Sequence, residues 1–265
     1  MRVYEIPEGS KNSKGRAIQN LINIEQDDKV KAFICTQDLK DEDYINSHYV
    51  IMATKMGQVK KTSLEQYSRP RSNGINAITI KDNDELLEAK LTNGSSQIML
   101  AVKSGKAIRF EESKTRPMGR NASGVRGIRL KDKSDEVIGM VSVKDMDENI
   151  LVVSENGYGK RSSLEDYRLT NRGGKGVKTI SITEKTGKLV TLKSVSDSDD
   201  LMIINKSGIA IRMQVEDLRV MGRATQGVKV ISLKDGDSIA AVAKVMKDDD
   251  NIEDINDIEF TGDAV

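Results

Sequence analysis

The sequence predicts an all-β protein built from repeats of about 50 residues. A short apolar run, a Gly-containing turn and a second short run occur together four times, which is the pattern of a β-hairpin. Two sets of glycines recur in phase along the chain, and helix-period stretches are few and short. Several short strands in each repeat favour a propeller-like array.

The hairpins are the first elements of each repeat. We predict strands over residues 98–102 and 107–110, joined by a turn at Gly105. Gly57, Gly157 and Gly208 occupy the same position in the other repeats. Glycine suits such turns because it adopts positive φ angles without steric cost.

A second glycine opens the third strand after a polar loop that is rich in Arg and Lys. This glycine is Gly74, Gly124, Gly176 or Gly227, depending on the repeat. In the repeat that contains Gly124, we predict the third strand over 126–130 and the fourth over 137–143.

The repeats set the expected domain organisation. Residues 1–247 form one repeat domain, and residues 248–265 are too acidic for a core and are expected to be disordered. Because Met1 lies where a second strand would already be running, we expect the chain to be part of a larger protein. The partial first unit holds a fourth strand over 30–35 and ends in a linker over 41–47. The predicted units are 1–48 (partial), 49–96, 97–148, 149–199 and 200–247.

Composition limits the possible compartments and partners. A single cysteine excludes an intramolecular disulfide framework and a Cys-based zinc site, and no apolar run approaches the ~18 residues of a membrane span. We therefore expect a cytoplasmic protein. Residues 248–265 hold eight acidic residues and no Lys or Arg; because the whole chain carries +1, residues 1–247 carry +9. A basic body with an acidic tail is typical of proteins that bind polyanions, although the tail could also only aid solubility.

The sequence contains no pattern of catalytic side chains. His48 lies in a polar segment and is expected at the surface, whereas Cys35 lies in an apolar run and is expected to be a buried, inert thiol. The Gly-rich stretch 173–176 lacks the Gly-Lys-Ser/Thr ending of a nucleotide-binding loop. We predict no catalytic residue and no metal site.

The basic residues are distributed by the repeat, and we call the whole set the basic belt. Equivalent positions around an axis would place them side by side, where they could hold a bent phosphate backbone without base readout. A merely solvated surface is the alternative. The cations after the first glycine are Lys60, Lys61, Arg109, Lys160, Arg161 and Arg212. The loop cations are Lys11, Lys14, Arg16, Arg69, Arg71, Lys114, Arg116, Arg120, Arg168, Arg172, Lys175, Arg219 and Arg223. The cations after the second glycine are Arg126, Lys178 and Lys229.

One loop stands out from the others. Residues 170–176 read Thr-Asn-Arg-Gly-Gly-Lys-Gly, so that Gly173, Gly174 and Gly176 surround two cations. We call this stretch the glycine-rich loop and expect it to approach a partner closely, since glycines allow a tight turn. An ordinary hairpin turn with two solvated charges is the alternative.

Five segments in the same order and spacing resemble the C-terminal domain of bacterial DNA gyrase A. They begin at Met1, Lys14, Gly124, Asn156 and Arg223, as in Asn156-Gly-Tyr-Gly-Lys-Arg and Arg223-Ala-Thr-Gln-Gly-Val. The resemblance covers residues 1 to about 247. It implies a β-pinwheel, a propeller-like fold whose blades exchange strands, and a non-catalytic role in wrapping duplex DNA.

The resemblance also implies partners and a setting. These are duplex DNA, the rest of the gyrase A polypeptide and the gyrase B polypeptide, with association with the bacterial chromosome. ATP and Mg²⁺ are expected elsewhere in the holoenzyme, and no cofactor in this chain, which is expected to be a monomer in isolation. The glycine-rich loop resembles the family's Gln-Arg-Arg-Gly-Gly-Lys-Gly box, but Thr170 and Asn171 replace its first two residues.

Two other functions remain open from the sequence. The equivalent domain of topoisomerase IV lacks a true box and wraps DNA poorly. A propeller that serves as a protein-interaction platform would show no salt-dependent binding to DNA.

Overall fold

The structure, a computed structural model, describes residues 3–10, 13–22, 24, 28–71, 73–143, 145–234 and 236–246. It divides into two bodies. The first body comprises residues 1–144 and 168–177, and the second comprises residues 145–167 and 178–265. The acidic tail and Lys11 lie outside the described residues.

Strands dominate the described part of the chain. One α-helix, α1 (Glu42–Ser47), precedes the first hairpin, and Asp41 caps it by accepting a hydrogen bond from the Tyr44 amide. Short 3-10 turns lie at Val3–Glu5, Ile18–Asn20, Leu64–Tyr67, Glu112–Lys114 and Leu164–Asp166. The strands are β1 (Tyr49–Thr54), β2 (Gln58–Ser63), β3 (Leu86–Thr92), β4 (Gln97–Val102), β5 (Lys106–Glu111), β6 (Val125–Arg126), β7 (Val137–Val143), β8 (Asn149–Ser154), β9 (Tyr158–Ser163), β10 (Val177–Lys178), β11 (Leu189–Val195), β12 (Asp199–Asn205), β13 (Ala210–Gln214), β14 (Val228–Lys229) and β15 (Ile239–Met246).

The first three sheets are each centred on one predicted hairpin, and one outer strand of each comes from the next repeat. The orders are β3-β1-β2-β6, β10-β5-β4-β7 and β11-β8-β9-β14, and a fourth sheet has three strands, β13-β12-β15. Arg126 on β6 lies opposite Gln58 on β2, and Val228 on β14 lies opposite Gly159 on β9. The strand exchange implied by the resemblance is therefore present.

The second set of glycines explains how the exchanged strand fits. Gly124 and Gly176 have positive φ angles of 86° and 70°. A Cβ atom at Gly124 would lie 2.5 Å from the Val59 carbonyl oxygen, and one at Gly176 would lie 2.5 Å from the Ala107 carbonyl oxygen. Only glycine permits this approach of the chain to the preceding hairpin.

Apolar strand residues form a separate core in each body. In the first body, Ile98, Leu100 and Phe110 are fully buried, and a smaller cluster packs beneath α1. In the second body, Leu151 and Leu201 belong to the main cluster. The central strands β1, β4 and β8 are buried along most of their length, so both faces of these three sheets are covered there.

The structure corrects four expectations from the sequence. The predicted third strand over 126–130 is shorter, β6, and lies in the sheet of the preceding repeat. Residues 30–35 form no strand, because the described residues before α1 contain no hairpin with which they could pair. Cys35, expected to be buried, is therefore exposed. The predicted linker over 41–47 is mostly α1.

Candidate nucleic-acid interface

Five cations of the basic belt do not lie at the surface. These residues lie on the strands β2, β5 and β9. No more than 7% of any of these residues is exposed, so the expectation that all the repeat-placed cations face outward is wrong. The five are Lys60, Lys61, Arg109, Lys160 and Arg161.

Lys60 and Lys160 bind oxygen atoms of polar loops. Lys60 Nζ donates to the carbonyls of Ala77 and Arg120. Lys160 Nζ donates to the Gly222 carbonyl at 2.6 Å and to Thr225 Oγ1 at 3.0 Å. Burial lowers the pKa of each lysine to about 8. These buried lysines hold the loops that they bind against their own hairpins.

Lys61 forms an ion pair inside the first body. Its Nζ lies 3.6 Å from Glu112 Oε1, and both side chains are at most 5% exposed. Thr92 Oγ1 donates to the same carboxylate at 2.8 Å, and Lys61 Nζ lies 4.8 Å from the centre of the Tyr49 ring. Lys61 therefore neutralises a buried acid.

Arg109 and Arg161 are also bound within the protein. Arg109 Nε donates to Gln97 Oε1 at 2.7 Å, and burial lowers the pKa of its guanidinium. Arg161 donates to the Leu218 carbonyl and forms an ion pair with Asp197. The equivalent Arg212 is exposed, but it pairs with Asp200 at 2.8 Å.

The loop cations show the opposite behaviour and are exposed at equivalent positions. Eight residues before the second glycine, Arg116, Arg168 and Arg219 are all exposed. Two residues after that glycine, the exposed cations are Arg126, Lys178 and Lys229. Further exposed cations are Lys14, Arg16, Arg69, Arg71, Lys114 and Lys175.

Arg120, Arg172 and Arg223 form a third class. They lie four residues before the second glycine of their repeats and are half-buried. Arg172 Nε donates to the Lys114 carbonyl at 2.9 Å, so this arginine of the glycine-rich loop faces the protein. Lys175 of the same loop is exposed.

Backbone hydrogen bonds hold the glycine-rich loop against the segment that directly follows β6, the outer strand of the preceding sheet. The Gly173 amide, at a φ of 81°, donates to the Gly127 carbonyl at 2.6 Å, and the Arg129 amide donates to the Gly174 carbonyl at 2.8 Å. Bonds at the position of this second contact recur in the other repeats, from Thr79 to Ala122 at 3.3 Å and from Ser181 to Thr225 at 3.1 Å. The loop is thus one copy of a repeated docking element, held in a fixed position beside Arg126.

The described residues contain no group of three or more His, Cys, Asp or Glu side chains placed to hold a metal ion. His48 is half-buried, and its ring lies 4.2 Å from the ring of Tyr44. No helix in the described part of the chain is both long and apolar enough to cross a membrane.

Comparison with known proteins identifies the family. A family model described as "DNA gyrase C-terminal domain, beta-propeller" matches residues 1–37, 48–93, 97–144, 148–196 and 199–246. The chain belongs to this family. DNA gyrase A of Staphylococcus epidermidis is 44% identical over 252 residues, which are 95% of this chain and 28% of that protein. The chain thus spans 28% of the length of this relative.

Two solved structures of C-terminal domains resemble the gyrase-family fold seen here. One, of DNA topoisomerase IV, has a TM-score of 0.83 at 25% identity and covers 92% of this chain and 74% of that one. The other, of DNA gyrase A, has a TM-score of 0.77 at 25% identity and covers 93% of this chain and 78% of that one. The predicted family and the predicted all-β, propeller-type fold are confirmed.

Proposed function

We propose that this chain is a non-catalytic module that binds duplex DNA without sequence preference and wraps it. The observation that carries the proposal is the exposure of the same loop cations in successive repeats, Arg116, Arg168 and Arg219. Cations that recur at equivalent positions of successive repeats suit a ligand with a repeated negative charge, such as a duplex, and neutralising its phosphates releases counterions.

The proposed contacts are a subset of the basic belt. They include the exposed loop cations and Arg126, Lys178 and Lys229 after the second glycine. The five buried cations are left out because their charges are already bound inside the protein. In the glycine-rich loop, Lys175 is the proposed phosphate contact and Arg172 is not.

In this proposal the chain supplies binding and bending, and other parts of gyrase supply the chemistry. It acts with the rest of the gyrase A polypeptide and with gyrase B, which use ATP and Mg²⁺ to introduce negative supercoils. Bending a duplex costs about 1–6 kcal/mol per short site, and the many phosphate contacts offset this cost. The setting is the cytoplasm of a bacterium, at the chromosome.

A second candidate is the equivalent role in topoisomerase IV. The higher TM-score to that domain, 0.83 against 0.77, favours it. The identity of 44% with gyrase A of Staphylococcus epidermidis favours gyrase. A domain of the topoisomerase IV type would bind duplex DNA but wrap it poorly.

Salt-dependent binding tests the proposal. The probe is a duplex of mixed sequence and about 40 base pairs, which covers several helical turns. We expect the affinity of the chain for this duplex to fall steeply between about 50 and 200 mM salt. Fluorescence anisotropy of a labelled duplex measures this, and replacing Arg116, Arg168 and Arg219 with Gln should lower the slope of log K against log [salt] by about 2.7.

A matched control removes the same charge elsewhere. Lys131, Lys133 and Lys206 are also exposed but lie in turns outside these loops, so their triple replacement with Gln should change the slope much less. A flat salt response of the unmodified chain would contradict DNA binding and favour a protein-interaction platform. Equal effects of the two triple variants on the slope would show that binding depends on the overall charge of the chain and not on the repeated positions of the loop cations.

A further inference from the structure

Three arginines make the same hydrogen bond in three successive repeats. Each lies four residues before the second glycine of its own repeat, and its guanidinium donates to the backbone carbonyl two residues after the second glycine of the preceding repeat. The bonds run from Arg120 Nη1 to Asn76 at 3.3 Å, from Arg172 Nη1 to Arg126 at 3.0 Å and from Arg223 Nη1 to Lys178 at 2.8 Å.

Two of the three acceptor residues end short outer strands. Arg126 ends β6, a strand of two residues at the outer edge of its sheet, and Lys178 ends β10, which is equally short and also outermost. Such an edge carbonyl has no further strand to bond to. The guanidinium takes the place of that missing neighbour and fixes the backbone of the residue that it binds.

That backbone carries a proposed phosphate contact in two of the three cases. The side chains of Arg126 and Lys178 are exposed cations, whereas the third acceptor residue, Asn76, has no charge. The three arginines therefore make equivalent hydrogen bonds, but only those of Arg172 and Arg223 position a residue with a charged side chain.

We propose that Arg172 and Arg223 are positioning residues that aim the exposed cations Arg126 and Lys178 at the DNA backbone. They do not contact phosphate themselves, since their guanidinium groups face backbone carbonyls. Arg120 makes the same bond and aims no charge. This inference rests on the DNA binding proposed above.

Replacement by Lys separates positioning from direct contact, because Lys keeps the charge but lacks the planar fork of donors. In Arg172→Lys and in Arg223→Lys, we expect the slope of log K against log [salt] to fall by about 0.9, as one phosphate contact is lost without any change of net charge. When the salt is raised from about 50 to 200 mM, the affinity of each variant should therefore fall by a factor about 3.5 times smaller than the affinity of the unmodified chain does. In Arg120→Lys the slope should not change.

Two further measurements keep the test decisive. Far-UV circular dichroism melting should show a small loss of stability in all three variants, because each loses the equivalent bond, and the loss should be somewhat larger in Arg172→Lys, which also loses the bond to the Lys114 carbonyl. Arg126→Gln should lower the slope by about 0.9, and Arg172→Lys combined with Arg126→Gln should lower it no further than Arg126→Gln alone.

Other results would overturn the proposal. A slope in Arg172→Lys equal to that of the unmodified chain would contradict positioning, as would an equal fall in Arg120→Lys. Additive effects of Arg172→Lys and Arg126→Gln would show that the two residues act separately. If the unmodified chain shows no salt-dependent binding at all, the proposed function itself fails, and that result is distinct from each of these.

Discussion

Strand exchange depends on the second glycine where an outer strand follows it, as at Gly124, Gly176 and Gly227, and Gly176→Ala tests this dependence. An alanine at this position must adopt a φ of 70°, and its Cβ would lie 2.5 Å from the carbonyl oxygen of Ala107 and 2.8 Å from its carbonyl carbon. Both atoms belong to the backbone of β5 and cannot rotate away. The outer strand or the hairpin must therefore shift.

Gly74 provides a matched control in the same body. Its φ is 79°, but a Cβ there would meet no atom within 4 Å. Gly74→Ala should therefore cost only the positive φ, about 1–2 kcal/mol. Gly176→Ala should cost that amount and about 1–3 kcal/mol more for overpacking, or about 2–5 kcal/mol in total.

Urea unfolding followed by far-UV circular dichroism measures both free energies. We expect both midpoints to fall at an unchanged m-value, and Gly176→Ala to fall clearly further. Hydrogen exchange at the Gly173 and Arg129 amides should also quicken in Gly176→Ala only, because these amides bond the glycine-rich loop to the segment after β6. Equal destabilisation of the two variants would refute the argument that close approach to the preceding hairpin requires this glycine.

Three other predictions concern buried charges and the tail. Lys61→Met should lower the free energy of unfolding by about 3–5 kcal/mol by leaving Glu112 buried without its partner, and Glu112→Gln in addition should restore part of the loss, as measured by urea unfolding. The pKa of Lys160 is lowered to about 8, mainly by burial, with Asp166 opposing the shift and Arg223 adding to it. Since the folded pKa lies below the ordinary 10.5, the unfolded state binds more protons between these values, so the free energy of unfolding should rise from pH 8 to 9.5, and Lys160→Met should weaken that rise. Truncation after Lys247 removes eight acids that lie outside the described residues, and it should tighten DNA binding most at low salt if the tail competes for the basic belt; an unchanged affinity would leave the tail a role in solubility.

The repeat made the hairpins predictable, and strand exchange needed the resemblance as well. The predicted strands over 98–102 and 107–110 correspond to β4 and β5, and the fourth strand over 137–143 is β7. The periodic glycines indicated where the chain closely approaches another segment. They could not show which hairpin is approached, because its backbone atoms lie more than one repeat away in sequence. The family resemblance supplied the exchange of strands between neighbours.

The burial of the cations on the strands was not predicted, although the sequence contains a pattern that indicates it. Three residues after the first glycine, the repeats hold Lys60, Ile108, Lys160 and Ile211 in turn, and an isoleucine at this position indicates a covered face. A buried lysine is uncommon, and these two are accommodated only by carbonyl and hydroxyl oxygens from distant loops. Partners that are so remote in sequence cannot be read from a single strand.

The loop cations were predicted more accurately because their environment is local. Arg116, Arg168 and Arg219 lie in polar loops, and all three are exposed as expected. The separate role of Arg172 could not be predicted, since its acceptors, Lys114 and Arg126, come from the preceding repeat. Whether the exposed cations contact DNA stays a prediction.

Trapping of supercoils in a nicked plasmid tests DNA wrapping most directly. The plasmid is sealed with ligase at about 50 mM salt in the presence of the full chain, and its topoisomers are separated after the protein is removed. We predict a shifted mean linking number that is lost when Arg116, Arg168 and Arg219 are replaced with Gln and retained when Lys131, Lys133 and Lys206 are replaced instead. Salt-dependent binding with no shift in linking number would contradict wrapping and favour a domain of the topoisomerase IV type.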